Sequence, residues 1–117
     1  MKRLLLLVAA VLIAAVAVEA ADATLVYETT SAYHHIRIVD EGRVRILNFN
    51  SAPQSRMSLD DPLTGHFEYI EYLHLPWLWN ERIRSVLVIG LGGGSFTRTA
   101  QARHPGVTIE TVELDPA

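Results

Sequence analysis

Residues 86–95 read VLVIGLGGGS, and this stretch decides the fold. The apolar residues at 86–89 predict a β-strand that is covered on both faces of a parallel sheet. The glycines are followed by a predicted helix over 96–103, which a Pro-Gly pair at 105–106 ends, and by a second predicted strand over 107–113. The order of strand, glycine loop, helix and strand indicates an α/β fold.

The glycine loop and the acidic end of the second strand together predict a nucleoside site. A loop without Cβ atoms lets a ligand approach the backbone, and it directs the helix N-terminal amides at that ligand. Glu113 follows Gly90 by 23 residues, near the offset of about 20 that is typical of an acid accepting hydrogen bonds from ribose hydroxyls. Asp115 is the second candidate for this role.

The glycine spacing distinguishes between kinds of nucleoside ligand. Gly90, Gly92 and Gly94 give G-x-G-x-G, whereas the dinucleotide pattern G-x-G-x-x-G needs glycine or alanine where Ser95 stands. No Gly-Lys-Ser/Thr sequence is present, which excludes a Walker-type triphosphate site. The observed spacing resembles the first motif of proteins that bind S-adenosylmethionine or its decarboxylated form. A dinucleotide site and a tight turn without a ligand stay open as alternatives.

The composition bounds the classes of partner and fold. The chain has 117 residues, 50% of them apolar, a net charge of −3 and no cysteine. The lack of cysteine excludes a disulfide scaffold, a thiolate metal site and a cysteine nucleophile. The histidine spacing predicts no metal site. A pI of about 5.9 gives no basic patch, so nucleic acid is not an expected partner. This length allows one domain, or part of one.

Residues 1–20 have the layout of a secretory signal peptide or a membrane anchor. A positive start precedes 15 uninterrupted apolar residues at 4–18, and small residues follow. Since a spanning helix needs about 20 apolar residues, the run is short for an anchor. The expected location is therefore the periplasm or the exterior, or the membrane surface through residues 4–18.

Residues 24–50 predict a small β domain. Apolar residues and arginines alternate over 35–39 and 43–49, and the intervening turn at 40–42 is Asp-Glu-Gly. This period-2 pattern predicts a β-hairpin with one polar face.

Residues 51–85 predict a connector made of a loop and a helix. Turn-forming residues dominate 50–65, which predicts a loop. Apolar residues at three- and four-residue spacing predict a helix over 67–79 that Pro76 ends or kinks.

From residue 25 onward the chain resembles the spermidine synthase (polyamine aminopropyltransferase) family, in its bacterial spermidine synthase-like branch. The segments that carry this resemblance are VLVIGLGGGS at 86–95 and ELDP at 113–116, with support from SAY at 31–33, QS at 54–55 and Tyr69.

The resemblance implies a fold and an activity. The fold is a small N-terminal β-hairpin domain followed, at 86–117, by the start of a Rossmann-like domain of the S-adenosylmethionine-dependent methyltransferase type. The activity is that of a transferase in polyamine biosynthesis. Enzymes of this family transfer an aminopropyl group from decarboxylated S-adenosylmethionine to a small-molecule amine and need no metal. The resemblance also implies that the full-length protein is a homo-oligomer. The implied site residues are Glu113 for the ribose, Gly90, Gly92, Gly94 and Gln54 for the rest of the nucleoside, and Tyr69 for the amine.

Three positions that face the amine differ from the family pattern. Gly93 stands where an aspartate usually grips the diamine, Ile70 replaces a histidine, and His34 replaces a glutamine. Adenosyl-thioether binding is therefore better supported than polyamine chemistry. An S-adenosylmethionine-dependent methyltransferase and a non-catalytic, exported nucleoside-binding protein are the alternatives. The family's catalytic aspartate lies beyond the position of Ala117, so we expect a truncated catalytic domain that is inactive alone.

Overall fold

The computed structural model describes residues 22–117. In chain order its strands and helices are β1 (Ala23–Thr30), β2 (His35–Glu41), β3 (Val44–Phe49), β4 (Ala52–Ser58), α1 (Tyr69–Tyr72), α2 (Pro76–Trp79), β5 (Ser85–Ile89), α3 (Ser95–Arg103) and β6 (Thr108–Val112).

The first four strands form an antiparallel sheet in the order β1-β2-β3-β4. The predicted hairpin is confirmed, since Glu41 pairs with Val44 across a two-residue loop. Gly42 begins that loop with a φ of 58°, a left-handed conformation that glycine adopts without a Cβ penalty. The pairing of β1 with β2 shifts register between Leu25 and Tyr27, which is a bulge.

The prediction of one polar face on this hairpin is wrong. The short loop fixes the register so that Ile38 lies opposite Leu47 and Arg37 lies opposite Asn48. Because successive residues of a strand point to opposite faces, Arg45 shares a face with Leu47, while Arg37 lies on the other face. Both faces of the sheet therefore mix apolar and charged side chains.

The prediction of a loop over 50–65 is wrong where β4 pairs with β3. Proline is tolerated at sheet edges and bulges, and Pro53 lies on this edge strand beside a register shift between Leu47 and Asn48. A polar sequence rich in turn formers can thus still complete a sheet edge. The sheet extends past residue 50, the predicted end of the β domain.

The prediction of one helix over 67–79 is also wrong, because the segment forms two short helices. After α1, the amides of His74 and Leu75 bond to carbonyls three residues earlier, which is 3₁₀-type bonding. Pro76 lies in the first turn of α2, where its missing N–H costs no intrahelical bond. Pro76 therefore divides the segment and begins the second helix.

The segment from β5 to β6 has the predicted order of strand, glycine loop, helix and strand. The two strands pair in parallel, from Ser85 with Thr108 to Ile89 with Val112. The predicted helix is confirmed, with α3 ending at Arg103 before a C-cap at His104. This arrangement brings the carboxyl ends of both strands to the same edge, beside the glycine loop.

The prediction that β5 is covered on both faces is wrong for the part of the chain that the structure describes. Burial alternates along the strand: Val86 and Val88 are half-buried, while Leu87 and Ile89 are 60% and 85% exposed. Within residues 22–117, one face of this sheet is covered and the other is open.

The buried residues belong to the four-stranded sheet, α1, α3 and the end of β6. The apolar ones are Ile36, Val39, Ile70 and Ala100, and the polar ones are Ser55, Ser95, Thr99 and Asp115. Helix α3 contacts β4. The β5-to-β6 segment therefore rests against the antiparallel sheet at its glycine loop.

The predicted leader at 1–20 lies outside the described residues. Between residues 22 and 117, no helix has the length and apolar character needed to cross a membrane.

Candidate functional site

The glycine loop, residues 90–94, holds three of its glycines in left-handed conformations. Gly90, Gly92 and Gly94 have φ values of 88°, 55° and 69°, which side chains with a Cβ rarely adopt. No atom lies within 4 Å of the position that a Cβ would take at Gly90 or Gly92. The backbone conformation thus requires these glycines, and the space beside two of them is open to a ligand.

Glu113 closes the end of β6 against this loop. Its carboxylate accepts hydrogen bonds from the amides of Leu91 at 2.5 Å, Leu114 at 2.7 Å and Asp115 at 3.0 Å. These amide hydrogen bonds, that of Asp115 first, lower the pKa of Glu113 below its usual value. This ionised and exposed carboxylate therefore lies directly beside the glycine loop, where a ligand hydroxyl can reach it.

A cavity of about 520 Å³, which we call the strand cavity, lies between β5, the glycine loop and α1. Gln54, Tyr69, Gly90 and Gly92 all line it. Ile70, the residue at the family's histidine position, is 3% exposed and also lines this cavity. The structure therefore brings four of the six predicted site residues to one concave surface.

A second cavity of about 540 Å³, the sheet cavity, lies between the antiparallel sheet and the glycine loop. Gly94 lines this cavity, and Glu113 lines neither of the two. Its apolar wall comes from alternate residues of β2 and β3: Ile36, Ile38, Leu47 and Phe49. Gly92 and Gly93 line both cavities, so the glycine loop is their common border.

Ser55 also lines both cavities, and the sequence analysis gave it no role of its own. Its side chain is buried against Gly93, where an added Cβ would overlap the Ser55 hydroxyl. The aspartate of the family pattern therefore has no room at position 93 unless Ser55 moves. Gly93 and Ser55 therefore pack directly against each other at the border of the two cavities.

Asp115, the second candidate for the ribose, points instead to the β1–β2 loop. Its carboxylate accepts a hydrogen bond from Ser31 Oγ at 2.5 Å and lies 3.3 Å from His34 Nδ1. The His34 ring stacks on Phe49, with 4.5 Å between ring centroids. The departure at His34 thus belongs to a contact between the sheet and the end of β6, which joins two residues 81 positions apart. No local pattern in the sequence could have indicated it.

The chain was compared with known proteins. A scan against models of protein families found no match. The chain is 36% identical over 86 residues to a polyamine aminopropyltransferase of Chromobacterium violaceum, covering 73% of this chain and 33% of that protein. It is 28% identical over 100 residues to a polyamine aminopropyltransferase of Vibrio vulnificus, covering 81% of this chain and 33% of that protein. The chain therefore spans about a third of the length of these relatives. This similarity confirms the predicted resemblance: the chain is a sequence relative of the polyamine aminopropyltransferases, the spermidine synthase family.

Proposed function

We propose that this chain supplies the donor-binding part of an aminopropyltransferase, a transferase of polyamine biosynthesis that uses decarboxylated S-adenosylmethionine. The observation that carries the proposal is the contact between Glu113 and the glycine loop, in a chain similar to polyamine aminopropyltransferases. An ionised carboxylate beside open, left-handed glycines suits a ribose and the thioether next to it.

We also propose that 86–117 is the start of a Rossmann-like domain. The parallel pairing of β5 with β6 supports this, as does the helix between them. In such sheets ligands bind outside the carboxyl ends of the strands, which is where the glycine loop and Glu113 lie. Export, membrane association through residues 4–18 and homo-oligomerisation stay predictions.

In the proposed reaction an amine attacks the carbon beside the donor's sulfonium. A nitrogen–carbon bond forms, the carbon–sulfur bond breaks with its electrons left on sulfur, and a base takes the amine proton. The role of this chain is to hold the donor: Glu113 accepts from the ribose, and Gln54 and the glycines border the nucleoside. Tyr69 lines the same cavity, where it would contact the amine. Such positioning accelerates a two-substrate reaction without covalent chemistry by the protein, and the family's base lies in a later segment.

Calorimetry with methylthioadenosine, the nucleoside product, tests the donor site. We expect the wild-type chain to bind it and Glu113→Ala to weaken binding by about 10- to 100-fold, because a charge-assisted hydrogen bond is lost. Glu113→Gln keeps one acceptor oxygen and should lie between the two.

Glu110→Ala is the matched control, since Glu110 is an exposed acid on the same strand and should leave affinity unchanged. Equal affinities of the wild type and Glu113→Ala would refute the ribose role.

The second candidate is an S-adenosylmethionine-dependent methyltransferase, which the glycine at position 93 favours. The resemblance implies an aspartate there that grips the diamine, and this chain lacks that carboxylate. The candidates separate by product: spermidine from putrescine and the decarboxylated donor, or methyl transfer from S-adenosylmethionine. Nucleoside binding with neither product would indicate the non-catalytic alternative.

A further inference from the structure

His74 lies between α1 and α2, beside one wall of the strand cavity. The residues of α1 and its C-cap that line this cavity are Tyr69, Ile70 and Leu73. Phe96 of α3 lines it too, and the rings of His74 and Phe96 lie 5.4 Å apart, centroid to centroid. His74 does not line the cavity itself, so its ring packs against the wall and not into the cavity.

A hydrogen bond holds the His74 ring on α3 and fixes where its proton lies. Nε2 of His74 lies 3.0 Å from Oγ1 of Thr99, a residue that is 1% exposed. The Thr99 hydroxyl also lies 3.0 Å from the carbonyl oxygens of Ser95 and Phe96, to which it donates its one hydrogen. Thr99 therefore accepts from His74, and Nε2 carries the hydrogen of the neutral ring.

The other ring nitrogen of His74 lies in a site that disfavours a second proton. Among residues 22–117, Nδ1 is buried without a hydrogen-bond partner. A neutral ring has only a lone pair on this nitrogen, whereas a protonated ring has an N–H donor and a positive charge. A buried donor without an acceptor is costly, and a buried charge without a partner costs more. The packing of this ring therefore fits its neutral form.

The charged and titratable groups that face His74 come from α1 and from the end of α3. On α3, Arg103 binds Glu71 of α1 with two hydrogen bonds, at 2.7 and 2.9 Å. The ring of His104, the C-cap of α3, lies 5.6 Å from that of His74, and the uncharged ring of Trp77 on α2 lies 6.0 Å away. Burial, followed by the charge of Arg103, lowers the pKa of His74 below its ordinary value of 6.5. Glu71 opposes this shift and His104 adds to it.

We propose that His74 is a positioning residue of the strand cavity and that the nucleoside binds while its ring is neutral. This inference rests on the proposed nucleoside site and adds a regulation of that site by pH. Protonation places a charge between α3 and the segment 69–75, and the His74 ring leaves Thr99 and Phe96 to reach water. Tyr69 and Leu73, which border the cavity on the same segment, then move with it. Falling pH thus lowers the affinity of the site for its donor.

Calorimetry of the full chain with methylthioadenosine at pH 8 and pH 5 tests this inference. We expect the wild type to bind about 3- to 10-fold more weakly at pH 5, because only the fraction with a neutral His74 binds. Glu113 stays mostly ionised at pH 5, since its pKa lies below the ordinary value of 4.5. His74→Gln keeps an N–H donor for Thr99 but takes up no proton. This variant should therefore keep the affinity at pH 8 and lose the difference between the two pH values.

Two further variants complete the test. His35→Gln is the matched control, because the His35 side chain is 43% exposed, lies on the antiparallel sheet and lines neither cavity. This control should keep the wild-type pH dependence. Thr99→Val removes the acceptor for His74 with little change of shape, and it should weaken binding at pH 8.

Equal affinities of the wild type at the two pH values would overturn this inference and leave the nucleoside site standing. A pH dependence that survives His74→Gln, or an unchanged affinity of Thr99→Val at pH 8, would overturn the role of His74. If the wild type binds no methylthioadenosine at pH 8, the proposed function itself fails.

Discussion

The antiparallel sheet and the β5–β6 pair differ in what supports them. In the sheet each strand pairs with its neighbour along the chain, and Ile36 and Val39 are 5% and 8% exposed. In the pair the two strands are separated along the chain by the helix α3. Their side chains Leu87 and Val112 are 60% and 58% exposed. A two-stranded sheet is marginally stable by itself. The pair therefore depends more on contacts with other parts of the protein.

Two of those contacts reach the antiparallel sheet, and both lie beside the candidate site. Gly93 packs on Ser55, and Asp115 binds Ser31. Both hold the carboxyl-end edge of the parallel pair against the sheet. Ligand-binding segments commonly belong to the less stable parts of a protein. The site thus lies where the four-stranded sheet meets a two-stranded pair whose outer face is exposed.

The largest expected effect compares one truncation in each region. Ile36→Ala should lower the free energy of unfolding by about 2–4 kcal/mol, because it removes the contacts of a buried side chain and enlarges the sheet cavity that Ile36 borders. Leu87→Ala should change it by about 0.5 kcal/mol, since that side chain is mostly exposed. Urea unfolding followed by circular dichroism measures both. If both variants lost the same free energy of unfolding, the open face of β5 would have to be covered in solution. The two regions would then not differ in how well their side chains are buried.

A smaller effect is expected at the contact between Gly93 and Ser55. Gly93→Ala should cost about 1–3 kcal/mol through overpacking, because its Cβ would overlap the Ser55 hydroxyl. Adding Ser55→Ala removes that hydroxyl, so the double variant should lose less than the sum of the single variants.

Gly106→Ala is the matched control for this cycle. No atom lies within 4 Å of a Cβ at Gly106, and its φ is not left-handed, so the free energy of unfolding should hardly change. Additive losses at 55 and 93 would show that the two residues are not in contact.

The sequence predicted the elements whose patterns are local. The apolar run at 86–89 and the Pro-Gly pair at 105–106 indicated β5 and the end of α3 correctly, because strand formation and helix termination depend on neighbouring residues. The burial of both faces of β5 was predicted wrongly, since it depends on distant segments. The hairpin was predicted in the same way, although its turn lies at 42–43 and not at the predicted 40–42. The face of the sheet on which each arginine lies could not be predicted from the sequence, because a shift in register by one residue moves every side chain to the other face.

The missed features depend on distant residues. β4 has a polar sequence with a proline, and only its pairing with β3 makes it a strand. The spacing of Gly90, Gly92 and Glu113 predicted a candidate site, whereas nothing in the sequence indicated that Ser55 packs beside it. Local patterns thus predicted the glycine loop, and tertiary packing decides which side chains surround it.

The smallest expected effect is a pH dependence of the free energy of unfolding that arises from the contact between Asp115 and Ser31. The hydrogen bond from the Ser31 hydroxyl is the main cause that lowers the pKa of Asp115 below its ordinary value of 3.8, and His34 adds to it. A carboxyl whose pKa is lowered by folding stabilises the protein above its unfolded pKa, and this stabilisation is lost as the pH falls through the folded pKa.

Asp115→Asn should therefore be less stable than the wild type at pH 7. The difference in the free energy of unfolding should begin to narrow below the unfolded pKa of about 4, and it should close only as the pH falls through the lower folded pKa. Urea unfolding between pH 7 and pH 3 measures it. The difference in the free energy of unfolding between Ser31→Ala and the wild type should narrow over the same pH range, because this variant lacks the donor that lowers the pKa of Asp115. A difference that stays constant down to pH 3 would mean that the ionised carboxylate contributes nothing to holding β6 against the sheet. The parallel pair would then depend on the contact at Gly93 and on α3, and the two regions would differ more than the contacts indicate.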